Sequence, residues 1–464
     1  MAVPRTKVLI IVQNLPVPLD RRVWLECRAL TRAGYQVSVI CPQGPGDPAR
    51  QTIDGVAIYK YRPAPEAKGL LGFAVEFLYS WLRTAALSVT VRRERGFDVI
   101  QACNPPDTYW LLARLWRLAG VRFLFDHHDL NPELYVSRFG EPTGAKGRAE
   151  LSGLRWLERR TFRAADRVVS TNESYRHVAL TRGGVPKGRT TVVRSGPDTR
   201  VMRPVHGSEH LARGGHLLVY LGIMGPQDDV DLVLRVVDEL VHHRGRTDVR
   251  AALLGFGDCL ADLRALSHEL GLDDVVEFTG RVGPDAIAAY LSAASVGLCP
   301  DRSTPLNNRS TMNKTMEYMA FAVPPVTFDL AETRVSAQDT ALYVPSGDVG
   351  AFADAVERLL DDPQLRVDLS LRARERVVAE LDWSPQATAY VHTFDSLTGH
   401  RSGPGPFVDP SPQPPEGAVD LDRLEEFVRA RGAGAAPLPG AADDAAAPDR
   451  RTVSAPRPGT TPRG

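Results

Sequence analysis

The chain has 464 residues, which exceeds what one hydrophobic core supports, so we expect two domains. Its 56 lysines and arginines balance 56 aspartates and glutamates, and the lack of a basic excess speaks against a nucleic-acid partner. Five scattered cysteines without a CxxC pair predict reduced thiols in a cytoplasmic protein and no metal site. A predicted strand begins at residue 7, so we expect no secretory signal.

The N-terminal half opens with a strand, a helix and a second strand, predicted at residues 7–12, 21–33 and 35–41. This order is typical of an α/β fold with a doubly wound parallel sheet, in which ligands gather at the carboxyl ends of the strands. The loop after the first strand carries four polar candidates for ligand contacts: Asn14, Asp20, Arg21 and Arg22. The last three could contact an acceptor or a phosphate. Alternatively, Asp20 caps the helix and the arginines face water.

The longest apolar stretch covers residues 69–91. Glu76 and Arg83 interrupt it, which argues against a membrane-spanning helix. Two interpretations remain. The favoured one is a buried helix of the first domain. The other is an amphipathic helix that touches a membrane surface through Trp81, Leu82 and its basic flanks, which are Lys68, Arg92 and Arg93.

Two further polar loops follow predicted strands of this half. Residues 126–133 combine two histidines with three carboxylates. Zinc is disfavoured, because adjacent histidines point in different directions and no further ligand stands at the usual spacing. A histidine bonded to Asp126 or Asp129 is the structural alternative to a functional one. The other loop contains Asn104 and Asp107, and is either an acceptor-side loop or a simple turn.

The second half repeats the alternation of strands and helices, and its most informative stretch is residues 300–333. A short helix is predicted to begin near Asn313, with Lys314 and Glu317 three residues apart. A helix start offers free N–H groups and a positive dipole end to a phosphate, and a carboxylate one turn further in can accept a ribose hydroxyl. An ordinary surface helix with solvated charges is the alternative.

The segment NKTMEYMAFAVPPV, followed by Asp329 and Glu332, resembles the donor-binding segment of the family-four (group 1) glycosyltransferases, which have the GT-B architecture. The resemblance extends over about residues 7 to 397. It implies that Glu317 holds the donor ribose, that Lys314 faces the diphosphate, and that His128 (with His127 as second choice) lies near the transferred sugar.

The resemblance also implies that the backbones of Arg281 and Val282 contact the nucleobase. The backbone N–H groups of Gly222, Met224 and Gly225 are candidates for the phosphates, because nothing bulky blocks a glycine backbone. The side chains that could assist Lys314 are Arg302, Arg309, Asn313 and Arg281. Three departures from the family pattern stand out. Arg309 replaces a glutamate, Ala322 replaces a helix-ending glycine, and Ile223 and Gln227 replace an arginine and a lysine that serve the diphosphate.

The implied fold is two Rossmann-like, doubly wound domains facing a cleft: an acceptor domain at 1–200 with a helix at 386–398 that crosses back to it, and a donor domain at 201–385. The implied reaction moves a sugar from a nucleotide-diphosphate sugar, such as a UDP-sugar, to a hydroxyl acceptor. The acceptor would be a glycan, a lipid-linked sugar or a small molecule, as in cell-envelope polysaccharide biosynthesis. We expect retention of configuration, no cofactor or metal, and a cytoplasmic location with a peripheral membrane contact as one option.

Two alternatives share this fold, namely a nucleotide-sugar epimerase and an inactive protein that binds nucleotide. A nicotinamide oxidoreductase is disfavoured, because no Gly-x-Gly-x-x-Gly follows the first strand. Residues 400–464 are rich in Pro, Gly and Ala and are predicted to be disordered. Deleting residues 401–464 is therefore expected to leave stability and turnover intact.

Overall fold

The computed structural model describes residues 6–64 and 69–431. Two parallel sheets dominate it. The N-terminal sheet contains eight strands: β1 Lys7–Ile11, β2 Gln36–Pro42, β3 Arg50–Ile53, β4 Val56–Tyr61, β5 Val99–Cys103, β6 Arg122–His127, β7 Arg167–Ser170 and β8 Thr190–Val192. The C-terminal sheet contains six: β9 His216–Ile223, β10 Val249–Phe256, β11 Val276–Gly280, β12 Ala294–Cys299, β13 Pro325–Phe328 and β14 Leu342–Val344.

Helices cover both faces of each sheet. Those of the N-terminal half are α1 Arg21–Arg32, α2 Gly69–Glu94, α3 Trp110–Arg117, α4 Asn131–Phe139, α5 Ala145–Ala164 and α6 Glu173–Thr181. The others are α7 Asp231–Asp238, α8 Leu260–Glu269, α9 Pro284–Ala293, α10 Asn313–Ala320, α11 Ala331–Ala337, α12 Val349–Asp361, α13 Pro363–Arg376, α14 Trp383–Thr398 and α15 Leu424–Ala430. Helices α7 and α13 continue as π-helical turns at Glu239–His243 and Val377–Leu381.

The strand orders confirm the predicted doubly wound fold. The N-terminal sheet runs β3-β4-β2-β1-β5-β6-β7-β8, in which β3 alone is antiparallel, and the C-terminal sheet runs β11-β10-β9-β12-β13-β14. In both, the order reverses beside the first strand, between β1 and β5 and between β9 and β12. Ligands of such sheets bind outside the carboxyl ends of the strands at this reversal.

Two chain crossings join the domains and touch one another. On the outward crossing, Thr199 donates its backbone N–H to Asp382, and on the return crossing Trp383 donates to the carbonyl of Pro197 (both 3.0 Å). Helix α14 then packs on the N-terminal core, where the buried Tyr390 donates to Gln101. Helix α14 therefore belongs to the first domain's core.

The prediction of disorder from residue 400 onward is wrong for residues 400–431. Phe407 and Val408 are buried beside α1 and α14, and Val419 and Val428 are buried on the second domain. Asp409 pairs with Arg32 of α1 at 2.8 Å. Composition averaged over the segment misses these few, widely spaced anchors. The remainder of the predicted tail, residues 432–464, lies outside the described residues.

Helix α2 matches neither of its two interpretations alone. One side is buried against the first domain, as the favoured interpretation expects, but a row of apolar side chains on the other side is exposed. Lys68, one of its proposed basic flanks, lies outside the described residues. Among the helices of the described chain, none is both long enough and apolar enough to cross a bilayer.

Candidate active site

A cleft of about 530 Å³ lies between the two domains at the carboxyl ends of both sheets. From the N-terminal domain it is lined by the loop before α1 and the start of that helix, and from the C-terminal domain by the ends of β9 and β10 and the start of α10. The predicted site residues that line it are Asp20, Arg21, Arg22, Gly222, Arg281, Val282, Asn313, Lys314 and Glu317. The cleft thus contains residues of both the predicted acceptor side and the predicted donor side.

Helix α10 directs its N-terminus into this cleft. Met312 precedes the helix and gives no side-chain cap, so Asn313 is its first residue rather than its cap. In the described chain the backbone N–H groups of Asn313 and Lys314 donate to no protein acceptor, and only Thr315 bonds back, to Met312. Met316 and Met319 are fully buried and fix the helix on the core. The tip therefore presents free N–H groups and a positive dipole end to the cleft.

Lys314 is held by a partner that the sequence analysis missed. Its ammonium lies 2.7 and 2.9 Å from the two oxygens of buried Asp301, which follows β12 at the sheet reversal. It also lies 5.3 Å from the centre of the Tyr220 ring. Burial opposes protonation, but the carboxylate of Asp301 outweighs it and raises the pKa of Lys314 well above its usual value. Lys314 is charged, and Asp301 offsets most of that charge.

Gly222 makes room for this lysine. A Cβ atom at Gly222 would lie 3.2 Å from Cε of Lys314 and 2.9 Å from the hydroxyl of Tyr220. A larger residue at position 222 would therefore displace the lysine. The contact between the Gly222 N–H and the donor phosphates stays a prediction.

Met224 and Gly225 do not offer N–H groups to a phosphate, so this prediction is wrong. The N–H of Met224 donates to the carbonyl of Phe256 at 2.9 Å, and that of Gly225 donates to Asp228 at 3.0 Å. Asp228 itself lines the cleft near Lys314, and burial raises its pKa to about 6. A turn that follows a strand commonly satisfies its own N–H groups, which the glycine content of this loop did not reveal.

Glu317 is engaged across the cleft. Its carboxylate forms an ion pair with Arg21 at the start of α1, and Arg21 also lies 3.5 Å from the sulfur of Met202. The predicted donor-side carboxylate and a predicted acceptor-side arginine therefore meet directly. This contact closes the two domains over the site.

Among the three predicted donor-side arginines, only Arg281 lines the cleft, where its guanidinium lies 5.2 Å from the Phe256 ring centre. Arg302 pairs with Asp229 and Arg309 pairs with Glu133 of α4 at 2.8 Å. The prediction that Arg302 and Arg309 assist Lys314 is wrong, because both side chains are already bound to carboxylates away from the lining. Arg309 instead ties the second domain to the first.

On the N-terminal side, the capping alternative holds for Asp20, which accepts the N–H of Val23 at 3.0 Å. Arg22 is neither solvated nor free. It is buried and donates to Asp126 at 3.0 Å and to the Val193 carbonyl at 2.8 Å, and its Nε lies 3.0 Å from Nε2 of His128. Arg22 is thus held by buried partners at the cleft wall, whereas the side chain of Arg21 is 38% exposed in the cleft.

Arg22 occupies the centre of a buried polar cluster. Glu26, Cys103, Asp126 and His128 place one potential metal ligand each within 4.8 Å of one another. Burial raises the pKa of Glu26 well above its usual value. Burial also opposes ionisation of Asp126, but the Arg22 guanidinium outweighs it and lowers the pKa of Asp126. Burial raises the pKa of the Cys103 thiol, so it is not a thiolate. These residues do not fit a metal, because a guanidinium supplies the cation and two of the four groups are protonated.

The two adjacent histidines have different surroundings. His127 is fully buried, with ring centres of Phe162 at 5.0 Å and Tyr175 at 5.1 Å, and burial lowers its pKa to about 3. It is a core residue, so the second-choice role for His127 is wrong. Nε2 of His128 lies 2.7 Å from Asp126, and 15% of its side chain remains exposed. This contact matches the structural alternative in which Asp126 orients the histidine.

Asn104 and Asp107 brace the loop and do not face an acceptor. The amide oxygen of Asn104 accepts the backbone N–H groups of His128 (2.6 Å) and Asp129 (3.1 Å). Asp107 accepts from Asn131 at 2.5 Å, and burial raises its pKa to about 7. Both are almost completely buried, so an acceptor contact is not possible in this conformation. Asn14 is exposed but lies outside the cleft lining.

The C-terminal end of α10 is supported by the segment that was predicted to be disordered. Ala322 adopts φ 52°, the left-handed conformation that favours the glycine usual at this position. The carbonyls of Phe321 and Ala322 accept from the buried guanidinium of Arg431, and Arg374 donates to Ala320. Arginines therefore donate to the carbonyls that have no partner within the helix at this end.

Comparison with known proteins agrees with this geometry. A family model described as "Glycosyl transferase 4-like domain" matches residues 19–196, and one described as "Glycosyl transferases group 1" matches residues 215–362. A D-inositol 3-phosphate glycosyltransferase of Kineococcus radiotolerans is 26% identical over 410 residues, which cover 80% of this chain and 89% of that protein.

Solved structures share the whole two-domain arrangement. Sucrose-phosphate synthase from Thermosynechococcus elongatus superimposes with a TM-score of 0.69 at 19% identity, over 85% of this chain and all of that one. HepE of Anabaena, solved in complex with UDP-glucose, gives a TM-score of 0.64 at 14% identity, over 85% of this chain and 100% of that one. At these identities the likeness shows the fold.

The chain belongs to the group 1 glycosyltransferases and has the GT-B arrangement of two Rossmann-like domains around a cleft. It is an enzyme that transfers a glycosyl group from a nucleotide-sugar donor. The epimerase alternative gains no support from these relatives.

Proposed function

We propose that this enzyme binds a uridine diphosphate sugar in the cleft, with the ribose on Glu317 and the diphosphate at the N-terminus of α10. The observation that carries the proposal is that Asn313, Lys314 and Glu317 of one helix all line the same cleft. Free N–H groups, a buried ammonium and a carboxylate one turn further along match a phosphate followed by a ribose. The UDP-glucose complex named for HepE, a protein of the same fold, supports uridine as the base.

Donor binding requires Glu317 to change partners. Its carboxylate now accepts from Arg21, and ribose hydroxyls would replace that donor. Arg21 is 38% exposed and also lines the cleft, so it can turn to the negatively charged diphosphate when it is released. The exchange keeps the Glu317 carboxylate hydrogen-bonded and pairs Arg21 with the diphosphate. It also links donor binding to the contact between the two domains.

Charge on the departing diphosphate is compensated by several groups acting together. Asp301 offsets Lys314, and Asp228 adds negative charge when it is ionised, so the lysine alone does not suffice. We assign the balance to Arg21 and Arg281 and to the helix tip, with no metal ion required. Preplaced dipoles and cations of this kind stabilise charge where it develops in the transition state.

In the proposed reaction an acceptor hydroxyl oxygen forms a bond to the anomeric carbon while the bond from that carbon to the phosphate oxygen breaks. The hydroxyl proton leaves with the nucleoside diphosphate or with a neighbouring base, and the anomeric configuration is retained. His128 lies on the acceptor side. Because Nε2 contacts Asp126, Nδ1 is the atom that would accept a hydrogen bond from the sugar or the acceptor.

The acceptor is a hydroxyl compound whose class is open to assay. The relative from Kineococcus is named for an inositol phosphate, which makes a cyclitol one candidate beside glycans and lipid-linked sugars. A place in cell-envelope polysaccharide biosynthesis would follow from a glycan or lipid-linked acceptor. We further propose a cytoplasmic location, because the five cysteines are free and four of them are buried thiols.

Turnover of a nucleotide-sugar panel by site variants tests this proposal. Lys314→Ala and Glu317→Ala should each lower turnover on the order of a hundredfold, comparable to losing one electrostatic stabiliser elsewhere. Glu269→Gln, at an exposed position on α8, is the matched control and should leave turnover unchanged. Wild-type rates in both site variants would contradict the assignment of the cleft.

A further inference from the structure

Helix α2 buries a row of small polar side chains and exposes a row of apolar ones. The residues it buries against the first domain include Ser80, Thr84 and Ser88, and the last two hydrogen-bond with Tyr109 and Trp116. The opposite side exposes an apolar row with helical spacing, in which each side chain is between 39% and 59% exposed: Val75, Leu78, Leu82 and Val89. A surface helix in water normally buries its apolar row and exposes its polar one.

The neighbouring helices continue this apolar surface. On α3 the exposed side chains are Leu111, Leu115 and Leu118, of which Leu118 is 90% exposed. On α5 Trp156 is half exposed and lies 6.0 Å from Trp110 of α3, measured between ring centres. Exposed apolar side chains grouped on adjacent helices mark interaction surfaces in soluble proteins. We call the exposed sides of α2, α3 and α5 the lateral face.

Arginines are interspersed with these apolar side chains. A shallow cavity between α3 and α5 is lined by Arg114, Arg117, Arg160 and Arg163. Arg117 pairs with Asp166, whereas in the described chain the other three have no carboxylate within ion-pair distance. Arg160 lies over the Trp156 ring at 5.1 Å. The lateral face therefore combines exposed leucine and tryptophan with uncompensated positive charge.

We propose that the lateral face docks the enzyme on an anionic lipid bilayer. Leucine and tryptophan enter the boundary between headgroups and acyl chains, and the arginines contact the negatively charged headgroups. A second copy of the chain fits less well. In a two-fold symmetric dimer the face would meet itself and place these arginines against one another. The bilayer supplies the opposite charge along with the apolar phase.

The topology places this face beside the site. Helices α2 and α3 follow β4 and β5, so both begin at the carboxyl edge of the sheet where the cleft opens. An enzyme bound through the lateral face would hold the cleft close to the membrane surface. The proposal does not depend on the identity of the donor or the acceptor.

Flotation of the full chain with lipid vesicles tests whether the lateral face docks on an anionic bilayer. One set contains phosphatidylcholine alone, and the other adds phosphatidylglycerol, each at about 0.1 M and 1 M salt. The variants are Leu78→Glu with Leu82→Glu, and Arg114→Gln with Arg163→Gln. Val335→Glu is the matched control, because Val335 is 45% exposed on α11 of the other domain.

We expect binding to the anionic vesicles that weakens at high salt. The leucine variant should lower partitioning about tenfold or more, which corresponds to about 1.4 kcal/mol or more. The arginine variant should lower binding to anionic vesicles only, and Val335→Glu should bind like the wild type. Absence of binding to anionic vesicles, or equal loss in the control, would overturn the proposal. A dimer in sedimentation that Leu115→Glu dissociates, without vesicle binding, would instead identify a second copy as the occupant.

Discussion

Replacing Arg431 with alanine is expected to destabilise the second domain and weaken donor binding, although Arg431 lies far along the chain from the cleft residues. The change leaves the buried carbonyls of Phe321 and Ala322 without their donor. Each unsatisfied buried carbonyl costs about 1–3 kcal/mol. Releasing the buried guanidinium to water returns part of this cost, so we expect a net loss of about 2 kcal/mol.

Ala322 provides an independent check on the same helix end. Alanine in the left-handed conformation costs about 1–2 kcal/mol, whereas glycine adopts it freely and loses about 0.5–1 kcal/mol of chain entropy instead. Ala322→Gly should therefore be neutral to stabilising, by up to about 1 kcal/mol. Combined with Arg431→Ala, it should recover part of the lost stability. Arg429→Ala, an exposed ion-pair residue on α15, is the matched control and should cost at most about 0.5 kcal/mol.

Denaturant unfolding measures these free energies, and calorimetric titration of UDP measures the effect on the site. Because α10 carries Lys314 and Glu317, loosening its C-terminal end should weaken UDP binding severalfold in Arg431→Ala and leave it unchanged in Arg429→Ala. Equal stability and equal affinity in the two variants would refute the reasoning. It would then follow that residues 400–431 do not support the helix.

Three further predictions test individual assignments. Arg309→Ala should change the UDP dissociation constant less than about twofold, since Arg309 forms an exposed ion pair with Glu133 worth at most about 1 kcal/mol, and calorimetry checks this. His127→Phe should keep or raise the melting temperature and keep turnover within about twofold, because neither ring nitrogen has a hydrogen-bond partner among the described residues and the ring lies beside those of Phe162 and Tyr175. Burial raises the pKa of Asp228 from 3.8 to about 6, so the folded state binds this proton more tightly than the unfolded chain. The stabilisation that comes from binding this proton is therefore greatest at low pH and is lost as pH rises from 3.8 to about 6. Asp228→Asn should accordingly have a higher melting temperature than the wild type at pH 7.5 but not at pH 4.

Local sequence patterns predicted the α/β fold class, because each strand and helix has its own hydrophobic periodicity in the sequence. The alternation of short apolar runs with helical segments predicted a doubly wound parallel sheet, whereas the two-domain arrangement and a donor site around Glu317 were implied by the resemblance to the group 1 glycosyltransferases. Asp301 was missed because its meaning depends on a contact with Lys314, which forms only when β12 and α10 pack together. The available signal was the position of Asp301, two residues after the end of β12 and beside the sheet reversal.

Pairing between distant residues explains the remaining errors. Arg22, Arg302 and Arg309 are arginines in polar loops, and the sequence does not show that each meets a carboxylate elsewhere. The segment 400–431 has the composition of a disordered chain, yet a few anchors hold it. For α2, the helix was predictable but its exposed side was not, because serines and threonines face inward and form specific hydrogen bonds.

The most direct test of the central claim compares UDP with 2′,3′-dideoxy-UDP on the wild type and on Glu317→Ala by calorimetric titration. If Glu317 holds the ribose hydroxyls, their removal should weaken binding about tenfold or more in the wild type and have little further effect in the variant, because charge-assisted hydrogen bonds contribute about 1.5–3 kcal/mol. The same loss in both proteins would show that the ribose lies elsewhere and would contradict the account of the cleft.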